Sequence, residues 1–184
     1  ANQKLALANL RANKNVLFLT GSAGTGKSMI AAFHAACQLT QKKVDKVYLV
    51  RPAVAVGKSI GLLPGTIEEK LAPYFAQTLS HLEKFMGHGY LNYCLEKDIV
   101  SMFPVEYLRG MSFESAVVIL EEAQNMTASD FEMILTRLGA NCTLLITADE
   151  KQNDLNGKSG LNTTMNLIES VLDTQPQYMS DNDL

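Results

Sequence analysis

Apolar residues along the chain gather in short unbroken runs. Residues 16–20 (VLFLT), 47–50 (VYLV), 117–120 (VVIL) and 143–147 (TLLIT) are of strand length and show no polar alternation. That is the pattern of strands covered on both faces. Residues 99–102 predict a further short strand. Between these runs the pattern changes to helix. Residues 5–12 form a short helical stretch, and the segment from Lys27 to Leu39 is rich in alanine and apolar on nearly every side, as in an enclosed helix. Thr66 with Glu69 three positions later fits a capping box, opening a helix to about Met86. Thr127 caps another helix, which runs to Leu138 and stops at Gly139. Residues 51–65 carry several glycines and prolines and predict a long exposed loop.

Strands alternating with helices imply a mainly parallel sheet between helical layers. The expected architecture is a three-layer α/β domain. It carries a helical insertion at about residues 66–97, between the second and third strands. The 184 residues suit one domain. After Lys158 the chain has acids but no lysine or arginine, so residues 173–184 are expected to be an acidic tail.

The net charge of −3 excludes a strong overall basic field and leaves room only for a local basic groove. No window reaches the roughly 18 consecutive apolar residues of a membrane span, and the first residues lack a signal-peptide core, so a cytoplasmic protein is expected. Cys37, Cys94 and Cys142 are scattered in apolar surroundings and read as three reduced thiols. His34 lies in an apolar run, which favours a packed role over metal ligation.

Chemistry concentrates after the first strand. Gly21-Ser22-Ala23-Gly24-Thr25-Gly26-Lys27-Ser28 satisfies G-x-x-x-x-G-K-[ST] and has the preceding strand and following helix that the pattern needs. Glycines let the backbone N–H groups wrap a polyphosphate, and the helix start adds a favourable dipole. Lys27 reaches the outer phosphates and Ser28 can ligate magnesium. ATP and Mg2+ are thus the expected ligands, and the three-layer domain is expected to be a P-loop NTPase of the RecA-like kind. Glu121 and Glu122 end the strand 117–120, where one carboxylate can hold the metal and the other can orient water. Asp149 and Gln152 follow the next strand to the same sheet edge, where the Gln152 amide can contact the terminal phosphate or its attacking water. Gln3 can pair its amide with an adenine edge, against the competing reading of an exposed terminal glutamine.

Several ordered segments add to these motifs: Asn2-Gln3, Arg51-Pro52-Ala53-Val54, Gly61-Leu62-Leu63-Pro64-Gly65 and Tyr107-Leu108-Arg109-Gly110. Glu122-Ala123-Gln124-Asn125, Thr136-Arg137-Leu138-Gly139 and Thr147-Ala148-Asp149 with Gln152 and Asp154 follow. Together they resemble the PhoH family, phosphate-starvation-inducible ATPases related to the core of superfamily 1 helicases. The resemblance implies ATP hydrolysis, with RNA or single-stranded nucleic acid as partner and ring-like homo-oligomers. It gives Glu122 the water-activating role and Gln152 the phosphate-sensing role, which leaves the metal to Ser28 and Glu121. Arg51, Lys58 and Arg109 are candidate contacts to nucleic-acid phosphates, with surface or structural ion pairs as the competing reading.

Three positions depart from the family. Glu121 stands where aspartate is usual, Ala148 replaces a glycine, and no arginine follows Arg137, where the family carries an arginine-bearing segment. An arginine finger contributes about 10³ to 10⁵ in rate, so slow hydrolysis is expected. The competing function is a module that uses ATP as a structural switch with little turnover.

Overall fold

The computed structural model describes residues 2–11, 15–52, 67–149, 152, 159–172 and 177–179. In chain order the elements are α1 (Asn2–Arg11), β1 (Val16–Gly21), α2 (Lys27–Thr40), β2 (Lys46–Arg51), α3 (Ile67–Leu71), α4 (Ala76–Met86) and α5 (His88–Glu96). There follow β3 (Val100–Pro104), β4 (Ala116–Leu120), α6 (Ala128–Leu135), β5 (Cys142–Ala148), α7 (Leu161–Leu172) and β6 (Gln177–Met179). The six strands form one sheet in the order β3-β2-β4-β5-β1-β6, and every pairing is parallel.

The pleat divides the strand residues between two cores. Leu17, Leu19, Val47, Leu49, Val117, Ile119 and Leu145 face one side, where they meet Ile30, Ala31 and Ala35 of α2 and Phe75, Leu82 and Leu91 of the insertion. Val16, Phe18, Tyr48, Val50, Val118, Leu120, Leu144 and Ile146 face the other and meet Phe131 and Ile134 of α6 and Met165 and Ile168 of α7. Because successive side chains alternate and both faces are covered, the strands read as unbroken apolar runs. The result is the expected three-layer α/β architecture. Among the described residues no helix is long and apolar enough to cross a membrane.

The insertion departs from the expected single helix. It breaks after Leu71 into a 3₁₀ turn, Ala72–Phe75, with Pro73 near its start, before α4 begins. Proline lacks the N–H that a continuing α-helix would use, so the register is interrupted there. The Thr66 end of the expected capping box lies outside the described residues. Further along, Thr127 caps α6 as expected: Asp130 N–H donates to its hydroxyl, and the Asp130 carboxylate accepts from the Thr127 N–H, a reciprocal box. This helix ends at Leu135, before the expected Leu138. Arg137 binds the carbonyl of Met133 through Nη1 (2.7 Å) and that of Leu108 through Nε (2.8 Å), so a cation closes the helix end.

The region after Lys158 holds more structure than an acidic tail. Leu161, Met165 and Ile168 recur at helical spacing and are buried, and β6 falls inside the stretch read as tail, pairing with β1 from Leu19↔Gln177 to Gly21↔Met179. Gly160 permits this return. A Cβ at that position would stand 2.2 Å from the backbone nitrogen of Ala128, and its own N–H donates to the Met126 carbonyl at 2.7 Å.

Candidate functional site

The carboxyl end of β1 opens into the glycine-rich loop. Gly24 and Gly26 take positive φ values of 80° and 88°, a region that side chains rarely adopt. These turns aim the loop at the start of α2, whose first turn holds no acidic residue. Lys27 folds over the loop, its Nζ donating to the carbonyls of Gly21 (2.7 Å) and Ser22 (2.6 Å). The Thr25 hydroxyl donates to the Ser22 carbonyl at 2.9 Å. From α1, Gln3 Nε2 donates to the Thr25 carbonyl at 3.1 Å, so the N-terminal helix braces the loop.

Two strands away, β4 delivers both acids. Glu121 is 2 % exposed. Its carboxylate accepts from Arg51 Nε at 2.8 Å and from the Thr78 hydroxyl of α4. Arg51 also lies 3.7 Å from Glu122 and stacks over Phe75 at 5.5 Å. Burial pushes the Glu121 carboxyl up from its ordinary value, Arg51 and Thr78 oppose that rise, and Glu122 adds to it. Glu122 itself leaves the strand at φ 55°. That left-handed conformation costs a non-glycine residue about 1–3 kcal/mol, and the Glu122 side chain lines the cavity that Glu121 does not reach.

Buried Gln124 joins β4 to β5. Its Nε2 donates to Glu122 at 2.6 Å, and its Oε1 accepts the Asp149 N–H at 3.0 Å. The N–H of Gln152 in turn donates to the Asp149 carbonyl at 3.1 Å. A chain of hydrogen bonds therefore runs from the carboxylate at one strand end to the glutamine beyond the next.

These groups surround one cavity of about 410 Å³. Of the residues singled out in the sequence, Gln3, Ala23, Gly24, Gly26, Lys27, Ser28, Glu122, Thr147, Ala148, Asp149 and Gln152 line it. Gly21, Ser22 and Thr25 serve through the loop backbone behind them. Glu121 is not on this wall; it is held in the pair with Arg51. Arg51 is engaged with Glu121 and Glu122, Arg109 stands exposed beyond the turn after β3, and Lys58 lies outside the described residues. Gln77 and His81 of α4, Met29 and Gln124 also reach the wall. Gln124 sits in a segment that the family resemblance marks, whereas Gln77 and His81 carry no local signal.

His34 is packed, as its apolar setting predicts, and burial with the nearby Lys43 charge lowers its pKa to about 4. All three cysteines are free.

A parallel sheet with the glycine-rich loop between β1 and α2, and with carboxylates at neighbouring strand ends, places the chain in the P-loop class of α/β folds. The large terminase of a thermophilic bacteriophage shares the fold, with a TM-score of 0.63 over 99% of this chain and 46% of that one at 13% identity. The chain belongs to the PhoH family: the family described as PhoH-like protein matches residues 1–184. It is 45% identical over 145 residues to "Protein PhoH" of Escherichia coli (strain K12), covering 78% of this chain and 41% of the relative. To the "PhoH-like protein" of Bacillus subtilis (strain 168) it is 36% identical over 171 residues, 92% of this chain and 53% of the relative. The chain thus spans about half the length of these curated relatives.

Proposed function

We propose that the chain binds ATP with magnesium in the 410 Å³ cavity and hydrolyses its terminal phosphate linkage. The observation that supports this most is the convergence of Lys27, Ser28, Glu122 and Gln152, drawn from three strand ends, on one space. Lys27 offsets phosphate charge, Glu122 orients the attacking water, and Gln152 contacts the terminal phosphate or that water. Ser28 and Asp149 supply hard oxygen donors that suit magnesium, an ion that keeps several waters. Glu121 acts as a ligand in this reading only after leaving Arg51 and Thr78. Bound magnesium would neutralise charge on the outer phosphates.

Phosphate release from ATP and magnesium, lost in Glu122→Gln while ATP binding persists, tests the assignment. Release unchanged in that variant would refute it. The engaged state of Glu121 favours a second reading, an ATP-dependent switch with slow turnover. Saturable ATP binding without release would select it.

Coupling to RNA or single-stranded nucleic acid, and assembly of copies into a ring, belong to the same proposal. Arg51 supports the coupling, because it ends β2 immediately before the segment that holds Lys58 and touches both acids. Release stimulated by single-stranded RNA and lost in Lys58→Ala would bear out the coupling, and equal release with and without RNA would count against it.

A further inference from the structure

We infer that Gln77 and His81, on the helical insertion, contact the terminal phosphate of the bound nucleotide; the inference rests on the nucleotide reading above. The two residues are four apart on α4, so they share one helical face. Both line the cavity that holds Lys27, Ser28 and Glu122.

Thr78, beside Gln77, fixes which end of the cavity this face addresses. It is buried, and its hydroxyl binds Glu121, the residue next to Glu122. The turn of α4 that carries Gln77 and His81 is therefore tied to the acidic end. In the nucleotide reading that is where the outer phosphates and the attacking water lie. Gln3 meets the loop elsewhere, at the Thr25 carbonyl.

The chemistry of the wall agrees. Among the described residues that line the cavity, Lys27 is the sole lysine or arginine. A terminal phosphate carries more lone pairs than the Lys27 ammonium and the Gln152 amide can satisfy. The Gln77 amide and the His81 imidazole each offer an N–H donor toward it. The insertion thus supplies, from within the chain, donors to the group that ATP has and ADP lacks.

The test measures binding of a non-hydrolysable ATP analogue and of ADP, each with magnesium, to the parent chain and to His81→Ala, Gln77→Ala, His81→Gln and Lys27→Ala. We expect His81→Ala to weaken the ATP analogue about tenfold and ADP by less than about twofold. Gln77→Ala should shift the ratio in the same direction, and His81→Gln, which keeps a donor, should restore most of it. A guanine analogue should show the same ratio, since Gln77 and His81 address the phosphate and not the base. Equal losses for ATP analogue and ADP, or none for either, would overturn the inference. If His81→Ala fails to fold, Gln77→Ala reports the ratio in its place. Failure of the parent to bind either nucleotide, with Lys27→Ala indistinguishable from it, would instead remove the nucleotide reading itself.

Discussion

The side-chain oxygen of Gln124 accepts the backbone N–H of Asp149 at 3.0 Å, while its amide nitrogen holds Glu122 at 2.6 Å. One buried side chain therefore ties Glu122, just past the end of β4, to Asp149, just past the end of β5, from which Gln152 follows. Gln124→Leu removes both bonds and leaves the Asp149 N–H to find another partner. We expect phosphate release to fall by roughly 10²-fold, as for misplacement of a reacting group by about 1 Å, with little change in ATP affinity. Gln124→Glu should be at least as damaging, because it sets a second carboxylate against Glu122. Steady-state kinetics separated into kcat and KM check this. A rise in KM with kcat unchanged would contradict a positioning role.

The Arg51–Glu121 pair is buried on the acid side and supported by the Thr78 hydroxyl. Arg51→Met leaves a buried carboxylate without its cation and should destabilise the fold by about 3–5 kcal/mol. The double variant Arg51→Met with Glu121→Leu should recover most of that loss, since no charge then remains uncompensated in the core. Urea unfolding of the two singles and the double gives the coupling; additive effects would show that the pair contributes nothing as a unit.

His34 should make stability fall in mild acid. Its pKa is lowered from 6.5 to about 4 in the fold, by burial first and the Lys43 charge second. Between those values the unfolded chain binds more protons than the folded one, so stability rises with pH across the window. The contribution is fully present above about pH 6.5 and is lost as pH falls toward 4, for a total of about 3 kcal/mol. Its Nε2 has no hydrogen-bond partner among the described residues, so His34→Leu should keep the fold at neutral pH. Chemical denaturation from pH 7 to 4 should give a flatter profile for that variant.

Gly160→Ala should be among the most damaging small substitutions. The new methyl group would lie 2.2 Å from Ala128 N and 2.5 Å from the Thr127 carbonyl carbon, both backbone atoms. Overpacking against backbone has no flexible side chain to displace, and a loss of about 3 kcal/mol is expected. Thermal unfolding of the variant measures it. An unchanged midpoint would contradict the close approach of Gly160 to Ala128.

The sequence by itself determined the strands of the sheet's interior, because a parallel strand covered on both faces must be apolar throughout, as in residues 117–120. It also determined the phosphate loop, whose glycines and lysine are consecutive, and the reciprocal cap at Thr127, which needs only Asp130 three positions on. The break at Pro73 was legible in the missing N–H, and α7 in the spacing of Leu161, Met165 and Ile168, though the acidic residues around that helix hid it. Tertiary structure alone decided the rest of the site. Glu121 and Glu122 are neighbours in sequence and chemically alike. One is buried against Arg51 and Thr78, from 70 and 43 residues away, while the other turns into the cavity at a left-handed residue. Gln77 and His81 reach that cavity only because α4 packs beside α2. No local pattern encodes which residues a folded sheet brings to one edge, since burial and partner choice depend on packing between segments far apart in the chain.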